Sequence, residues 1–486
     1  MAQMYINSEW VDAVSGQKYD VINPANGEVV DSAPSGDTAD AEAAVNAAKS
    51  AFSDWAATPA DQRAELLHKG ILAVKEQTKE LAALLTKEQG KPFMESMGEL
   101  THFLHGMEFY VGMAGKVRGI QVPLPPSMNP NCYGMIMKQP VGISVGIVPW
   151  NFPITLMGTK VGPALIAGCP IIIKPASTTP LTTLKIIGIL NEAGIPAGVL
   201  NCVTGSGSKV GQALIKHPDV RRVALTGSSE TGKQVMQQAG TDFKRITLEL
   251  GGSDPMIVCA DADVSKAVSG AMIGRFWNAG QACLAVKRLY LFEDVYDEFM
   301  EKLVAKVGRY EPGDGMVKAE KPRIRMGPLH SAFQLEEVEA QLNDAVSKGA
   351  KVLLGGKRPD NMENQNGHFF EPAVVENVPE NSKLVTEEVF GPVLPVFKVS
   401  DLDEAIAKAN SSKWGLGASI WTNNMKYANR AVREIQSGMV WINQLHFGYD
   451  EMPFGGVKAS GIGHEHGPEA LEYYFEPKSV VFGGLE

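Results

Sequence analysis

Short, wholly apolar runs alternate with stretches of helical periodicity through the middle of the chain. The runs cover 142–148, 170–173, 199–203, 223–225 and 246–248, and each ends in a turn signal. Helical spacing covers 181–193, 208–216 and 230–239 between them. Strands apolar on both faces, alternating with helices, predict a parallel sheet covered on both sides. Beyond Gly251 the rhythm restarts with a helix over 264–277, a strand over 289–292 and further units to about residue 442. Two α/β halves are therefore expected. Ahead of them, the first ~35 residues read as short strands and turns, with Asn26-Gly27 as a hairpin signal. Helices follow over 41–57, 61–89 and 93–114. In the second, Leu66, Leu67, Ile71, Leu72, Leu81, Leu84 and Leu85 recur at helical spacing, and Gly90-Lys91-Pro92 stops it.

Two segments fit neither half. An alternating strand over 132–140 projects before the middle region, and a short strand over 480–482 lies near the end. An unpaired edge strand invites aggregation, so these are expected to pair with each other or with another subunit. The polar stretch 360–367 reads as a surface loop, and no internal repeat is visible.

Composition narrows the partners. The 486 residues carry 45 Lys and Arg against 55 Asp and Glu, a net charge of -10. That balance argues against nucleic acid or an anionic membrane as the main partner, since both need concentrated positive charge. Five cysteines without a C-x-x-C pair argue against a disulfide framework or structural zinc and for a reducing compartment. The opening ten residues have no secretory pattern. The most apolar region, 141–175, is interrupted by Pro149, Pro153, Pro163 and Pro170, by Asn151 and by Lys160, so it offers no membrane span of about 18 residues. A soluble cytoplasmic protein is expected.

Three glycine-bearing turns follow the middle strands: 203–211, 225–232 and 248–252. Such turns let backbone N–H groups approach a phosphate at a helix N-terminus, although none has the full G-x-G-x-x-G or P-loop pattern. Asn278-Ala-Gly-Gln-Ala-Cys283 places a thiol on a turn between helix and strand, where a lowered pKa would make it a nucleophile. Glu249 ends an apolar strand, as a paired structural group or as a general base with raised pKa. Asn151 sits among aromatics and prolines, as a turn former or an oriented hydrogen-bond donor. His464 and His466 flank Glu465 with no third ligand evident, so an exposed polar turn is expected there and no metal site.

Taken together these residues carry a resemblance. Pro149-Trp-Asn-Phe-Pro153, Lys174-Pro-Ala-Ser177, Thr226-Gly-Ser228, Glu249-Leu-Gly-Gly252, Gly280-Gln-Ala-Cys283, Glu388-Val-Phe-Gly-Pro392 and Pro453-Phe-Gly-Gly456 occur in the order of the aldehyde dehydrogenase superfamily. The chain resembles that family over essentially its whole length. The resemblance implies a Rossmann-like cofactor domain (1–123 and 142–250), a catalytic α/β domain (251–442) and a β arm for oligomerisation (124–141 and 470–486). Residues 443–469 would return to line the active site. It implies Cys283 as nucleophile toward an aldehyde, Asn151 as oxyanion donor, and Glu249 as the base that hydrolyses the thioester. Cofactor contacts so implied are Pro149, Trp150, Lys174, Ala176, Ser177, Gly207, Gly211, Gly227, Ser228, Gly232, Leu250, Glu388 and Phe390. A homodimer or homotetramer is implied as well.

Two departures bear on specificity. Many NAD-preferring relatives carry Glu where this chain has Ser177, so NADP is expected to be accepted and preferred, with NAD as the alternative, and Lys174 as a partner for the 2′-phosphate. Semialdehyde dehydrogenases of the family place arginines where this chain has Thr159 and Trp277. Without that bidentate grip, and with Trp277, Phe447, Tyr449 and Phe454 at the entrance, an apolar or aromatic aldehyde is expected. A semialdehyde or other polar aldehyde is the alternative, and a non-redox thiol acyl-transfer enzyme or a silent binding protein the rival of another class.

Overall fold

The computed structural model describes residues 2–125, 132–360 and 366–483. The middle runs form one parallel sheet from Ile143–Ile147, Ile171–Lys174, Leu200–Cys202, Val220–Thr226 and Arg245–Glu249. From Ile143–Ile147 the chain builds outward through Ile171–Lys174 to Leu200–Cys202, then returns to lay Val220–Thr226 on the opposite side. Such a reversal opens a crevice at the carboxyl ends of the strands, where α/β sheets bind ligands. The hairpin Met4–Ile6/Glu9–Val11 extends one edge, and Gly461–Ile462 closes the other against Arg245–Glu249.

The second half builds a seven-stranded sheet in the order Lys351–Leu354, Ala373–Glu376, Val393–Val399, Val286–Phe292, Asp254–Val258, Gly417–Trp421, Met439–Ile442. Only the edge strand Lys351–Leu354 is antiparallel. The two orphan segments pair with each other: Tyr133–Pro140 and Phe475–Phe482 match over eight positions, with Ile120–Pro123 on the outer side. The later strand is much longer than the 480–482 expected, because Glu476, Pro477 and Lys478 hide its alternation. The tip of the loop expected over 360–367 lies at 361–365, outside the described residues.

Other elements also differ from expectation. The helix over 61–89 is two, Ala60–Glu76 and Thr78–Gln89, because Gln77 leaves helical dihedrals (φ -101°, ψ 8°). The stretch 208–216 opens as a wide π-type turn, Gly207–Gly211, and only Gln212–Lys216 is α-helical. The strand expected over 289–292 starts at Val286, its onset masked by the consecutive cations Lys287 and Arg288. The 464–466 segment is not an exposed turn: Glu465 and His466 are buried.

The membrane-like stretch owes its composition to burial. Every residue of the helix Pro153–Ala167 except Thr155 is buried, against the sheet and the helix Phe93–Met113. No helix among the described residues is long and apolar enough to cross a membrane. Gly158 and Gly162 permit the close approach: a Cβ there would meet Phe103 Cδ2 at 2.7 Å and Tyr110 Cδ2 at 2.6 Å. Gly98, on the exposed face of Phe93–Met113, has nothing within 4 Å of its Cβ position. Gly162→Ala should therefore destabilise by about 1–3 kcal/mol through overpacking. Gly98→Ala should stabilise by up to about 1 kcal/mol through helix propensity. Opposite shifts in the thermal unfolding midpoint check this pair.

Candidate active site

The turn 149–153 leaves the carboxyl end of Ile143–Ile147 and is pinned from behind. Lys91 Nζ, sealed from solvent, donates to the Asn151 carbonyl and to the Glu99 carboxylate, each at 2.6 Å. Glu99 accepts in turn from the N–H of Ile154 (2.8 Å), at the start of Pro153–Ala167. Burying such an ammonium is tolerable because it is paired, bonded to a carbonyl and set 3.9 Å over the Phe152 ring. The Asn151 side chain donates to the Gln281 carbonyl at 3.1 Å, two residues before Cys283.

The segment that carries Cys283 follows the helix Val264–Phe276. Asn278, Ala279 and Gly280 all have positive φ (50°, 53° and 75°), a left-handed run that turns the chain sharply into Cys283. Gly280 is sterically required, since a Cβ would lie 2.4 Å from the Gly391 carbonyl. The strained turn is over-determined by hydrogen bonds. Asn278 donates to the Asn151 carbonyl (3.0 Å) and takes its N–H to Glu95 (2.9 Å), while Gln281 accepts from the N–H of His330 (2.8 Å). Arg275, fully buried, holds the Val389 and Gly391 carbonyls.

Cys283 is half-buried, and desolvation pushes its thiol up to about 12. Glu249, Glu388 and Asp254 push the same way, and Lys287 opposes them. Glu249 ends the strand Arg245–Glu249, buried, with neither carboxylate oxygen hydrogen-bonded. Desolvation first, then the Glu465 carboxylate, hold it well above the ordinary carboxylate range, against the pull of Lys160. Lys160 pairs with Glu465 at 2.7 Å and donates to Thr226 Oγ1 at 2.8 Å.

Cys283, Glu249 and Asn151 meet at one cavity of about 480 Å³. Pro149, Trp150, Gly227, Ser228, Leu250, Glu388 and Phe390 line it too, so both sheets contribute. Trp150 stacks on His330 (4.4 Å, 9°) and meets Phe390 edge-on. Ser228 caps the helix Ser229–Gly240 through the Thr231 N–H. Gly251 is the near wall, where a Cβ would collide with Glu388 Oε2 at 2.0 Å. Lys174, Ala176, Ser177, Gly207, Gly211 and Gly232 lie outside this wall. Lys174 is buried, with no hydrogen-bond partner for its ammonium among the described residues, and desolvation pulls it down to about 8. Ser177 Oγ donates to the Gly205 carbonyl (2.9 Å). Gly232 lets its helix close onto Leu250, whose Cδ atoms would lie 2.6 Å from an added Cβ. Gly207 and Gly211 face open space.

The residues expected at the entrance, Trp277, Phe447, Tyr449 and Phe454, do not line this cavity, nor does Thr159, but their rings form a run. Phe152 meets Trp277 (5.3 Å), Trp277 meets Phe447 (6.4 Å), and Phe447 meets both Tyr449 (5.7 Å) and His102 (5.0 Å). Phe454 and His466 continue the run at 5.7 Å. Thr159 is small as expected, but its hydroxyl is committed to Glu465 (2.7 Å). Sequence reasoning passed over Lys91, Lys160, Glu465 and Lys287. Lys160 and Lys287 did leave a signal, each being a cation within an apolar segment.

Comparison with known proteins agrees with this geometry. The family model described as the aldehyde dehydrogenase family matches residues 10–480. The glutarate-semialdehyde dehydrogenase of Pseudomonas putida (strain KT2440) is 40% identical over 98% of this chain and 96% of its own length. The NADP(+) succinate-semialdehyde dehydrogenase of Escherichia coli (strain K12) is 39% identical over 99% and 98%. A solved 3,6-anhydro-L-galactose dehydrogenase, in complex with NAP, superposes with a TM-score of 0.95 at 40% identity, covering 99% of this chain and all of that one. With seven motifs in order, a thiol, an acid and an amide at one cavity, and relatives matched end to end, the chain belongs to the aldehyde dehydrogenase family.

Proposed function

We propose that the chain oxidises an aldehyde to a carboxylic acid with a nicotinamide dinucleotide, through covalent attachment to Cys283. The observation that carries this is the convergence of Cys283, the unpartnered Glu249 and the Asn151 amide on one cavity. Cys283 sulfur adds to the aldehyde carbon, and the Asn151 side chain with the Cys283 N–H holds the oxyanion. Losing one such donor typically costs ~10²–10³ in rate. A bound dinucleotide supplies the hydride acceptor that turns the thiohemiacetal into a thioester. Glu249 then takes a proton from water as the oxygen adds to the acyl carbon, and the thiolate leaves with the acid released.

The residues present fit the dinucleotide. Gly227 and Ser228 offer a helix start for the pyrophosphate, Glu388 a carboxylate for ribose hydroxyls, and Phe390 a wall beside the ring. Lys174, a buried lysine whose ammonium has no hydrogen-bond partner among the described residues, supports NADP, since no carboxylate stands at Ser177 to repel a 2′-phosphate. Residues 1–123 with 142–250 would form the cofactor domain, 251–442 the catalytic one, and 443–469 the segment lining the site. Ile120, Met137, Val481 and Phe482 are exposed on the three-stranded ribbon, which supports association into a dimer or tetramer. The compartment read from the cysteines is the cytoplasm.

For the substrate, the ring wall supports an apolar or aromatic body. Lys91 and Lys160 are both buried against carboxylates, leaving no free cation of theirs for a distal anion. The relatives named for glutarate and succinate semialdehyde favour the second reading, a polar semialdehyde.

Cys283→Ala should abolish oxidation, while Glu249→Gln should slow turnover by ~10²-fold or more, with a thioester accumulating; intact-mass measurement of the acylated enzyme checks both. The proton inventory has a sign. Removing the Glu465 charge lets Glu249 ionise at lower pH, so Glu465→Gln should move the rising limb of thioester hydrolysis to lower pH in single-turnover profiles. A panel of benzaldehyde, hexanal and succinate semialdehyde with each dinucleotide should give higher kcat/KM for the first two aldehydes and for NADP; the reverse order supports the semialdehyde reading or NAD.

A further inference from the structure

Lys287 is the second residue of the strand Val286–Phe292, and its side chain is wholly shielded from solvent. Its three ammonium protons have three acceptors: the Gly252 carbonyl at 2.8 Å, the Cys283 carbonyl at 2.8 Å and Glu388 Oε1 at 2.5 Å. Each lies on a different part of the proposed machinery: the loop after the general base, the nucleophile itself, and the ribose acid. An apolar side chain would fill the same volume without the desolvation penalty of an ammonium, so the charge needs a reason of its own.

Two features give it one. Glu388 Oε1 is saturated by Lys287 and by the N–H of Gly252 (3.0 Å), which orients the carboxylate and leaves Oε2 without a partner among the described residues. Around Cys283 the charged groups are Glu249 from the first sheet, Asp254 from Asp254–Val258, and Glu388 from the loop after Lys383–Thr386. His446 stands behind Asp254 at 3.7 Å and reaches the Leu284 carbonyl. Three carboxylates thus disfavour a thiolate, and Lys287 is the cation set against them.

We propose that Lys287 is a positioning residue that couples the two halves of the site, orienting Glu388 for the dinucleotide ribose while supplying the positive charge that sustains the Cys283 thiolate. This rests on the proposed roles of Cys283 and Glu388. Lys287 touches neither substrate nor the reacting sulfur; it acts through the backbone of one residue and the carboxylate of the other.

The test uses Lys287→Met, Lys287→Arg and Glu388→Gln, each without dinucleotide present at first. The rate of iodoacetamide capping at Cys283, followed by peptide mass spectrometry, is measured against pH. Dinucleotide Kd is measured separately by quenching of tryptophan fluorescence. For Lys287→Met the capping midpoint should rise by about one pH unit, the effect of a nearby charge, and the NADP Kd should weaken by about tenfold, that of one charge-assisted bond. Lys287→Arg should recover most of both. Glu388→Gln should weaken Kd but lower the capping midpoint, because it removes a carboxylate and leaves the cation in place. If Lys287→Met does not fold, that opposite shift in Glu388→Gln still decides. An unchanged midpoint and Kd, with turnover abolished by capping, would overturn the role of Lys287 alone. Turnover that survives complete capping of Cys283 would instead overturn the nucleophile assignment beneath it.

Discussion

Three lysine–glutamate pairs, their lysines shut away from solvent, fix the loops on which this site depends. Lys91–Glu99 grips the turn that carries Asn151, Lys160–Glu465 lies beside Glu249, and Lys287–Glu388 ties the Cys283 backbone to the far wall. Each ammonium also bonds at least one oxygen beyond its carboxylate. Removing one partner of such a pair typically costs about 3–5 kcal/mol, because the other charge is then stranded. Loops held this way cannot drift without breaking a charge pair, so precision comes from electrostatics, where hydrophobic packing alone would permit sliding.

Much of this was legible beforehand. The apolar strands and their intervening helices announce the parallel sheet, because burial on both faces leaves no polar alternation to confuse them. The order of seven motifs points to Cys283, Glu249 and Asn151, and the fold does bring them to one cavity. What stayed hidden has physical causes. The break at Gln77 involves no proline or glycine, so local composition carries no mark of it. The strand Phe475–Phe482 alternates against one partner in a pattern that Glu476, Pro477 and Lys478 obscure. Lys287 stands out as a cation in an apolar segment, but its role stayed hidden for a related reason: its acceptors, Gly252, Cys283 and Glu388, are not all near it in sequence.

The same reasoning separates chemistry from choice of substrate. Cys283 and Asn151 stand on tightly bonded turns and Glu249 on a paired strand end, whereas Trp277, Phe447 and Tyr449 meet through ring contacts. Relatives each 40% identical to this chain carry names for quite different aldehydes.

The first core closes with residues from the far part of the chain. Ala470, Leu471, Tyr474 and Phe475 pack in the same cluster as Tyr5, Leu67 and Ile171, and Gly461–Ile462 completes the edge of the sheet begun near residue 4. During synthesis, domains tend to fold from the N-terminal side as they emerge. Here the first sheet lacks its last edge strand, and its core four buried side chains, until residues 461–475 have been made.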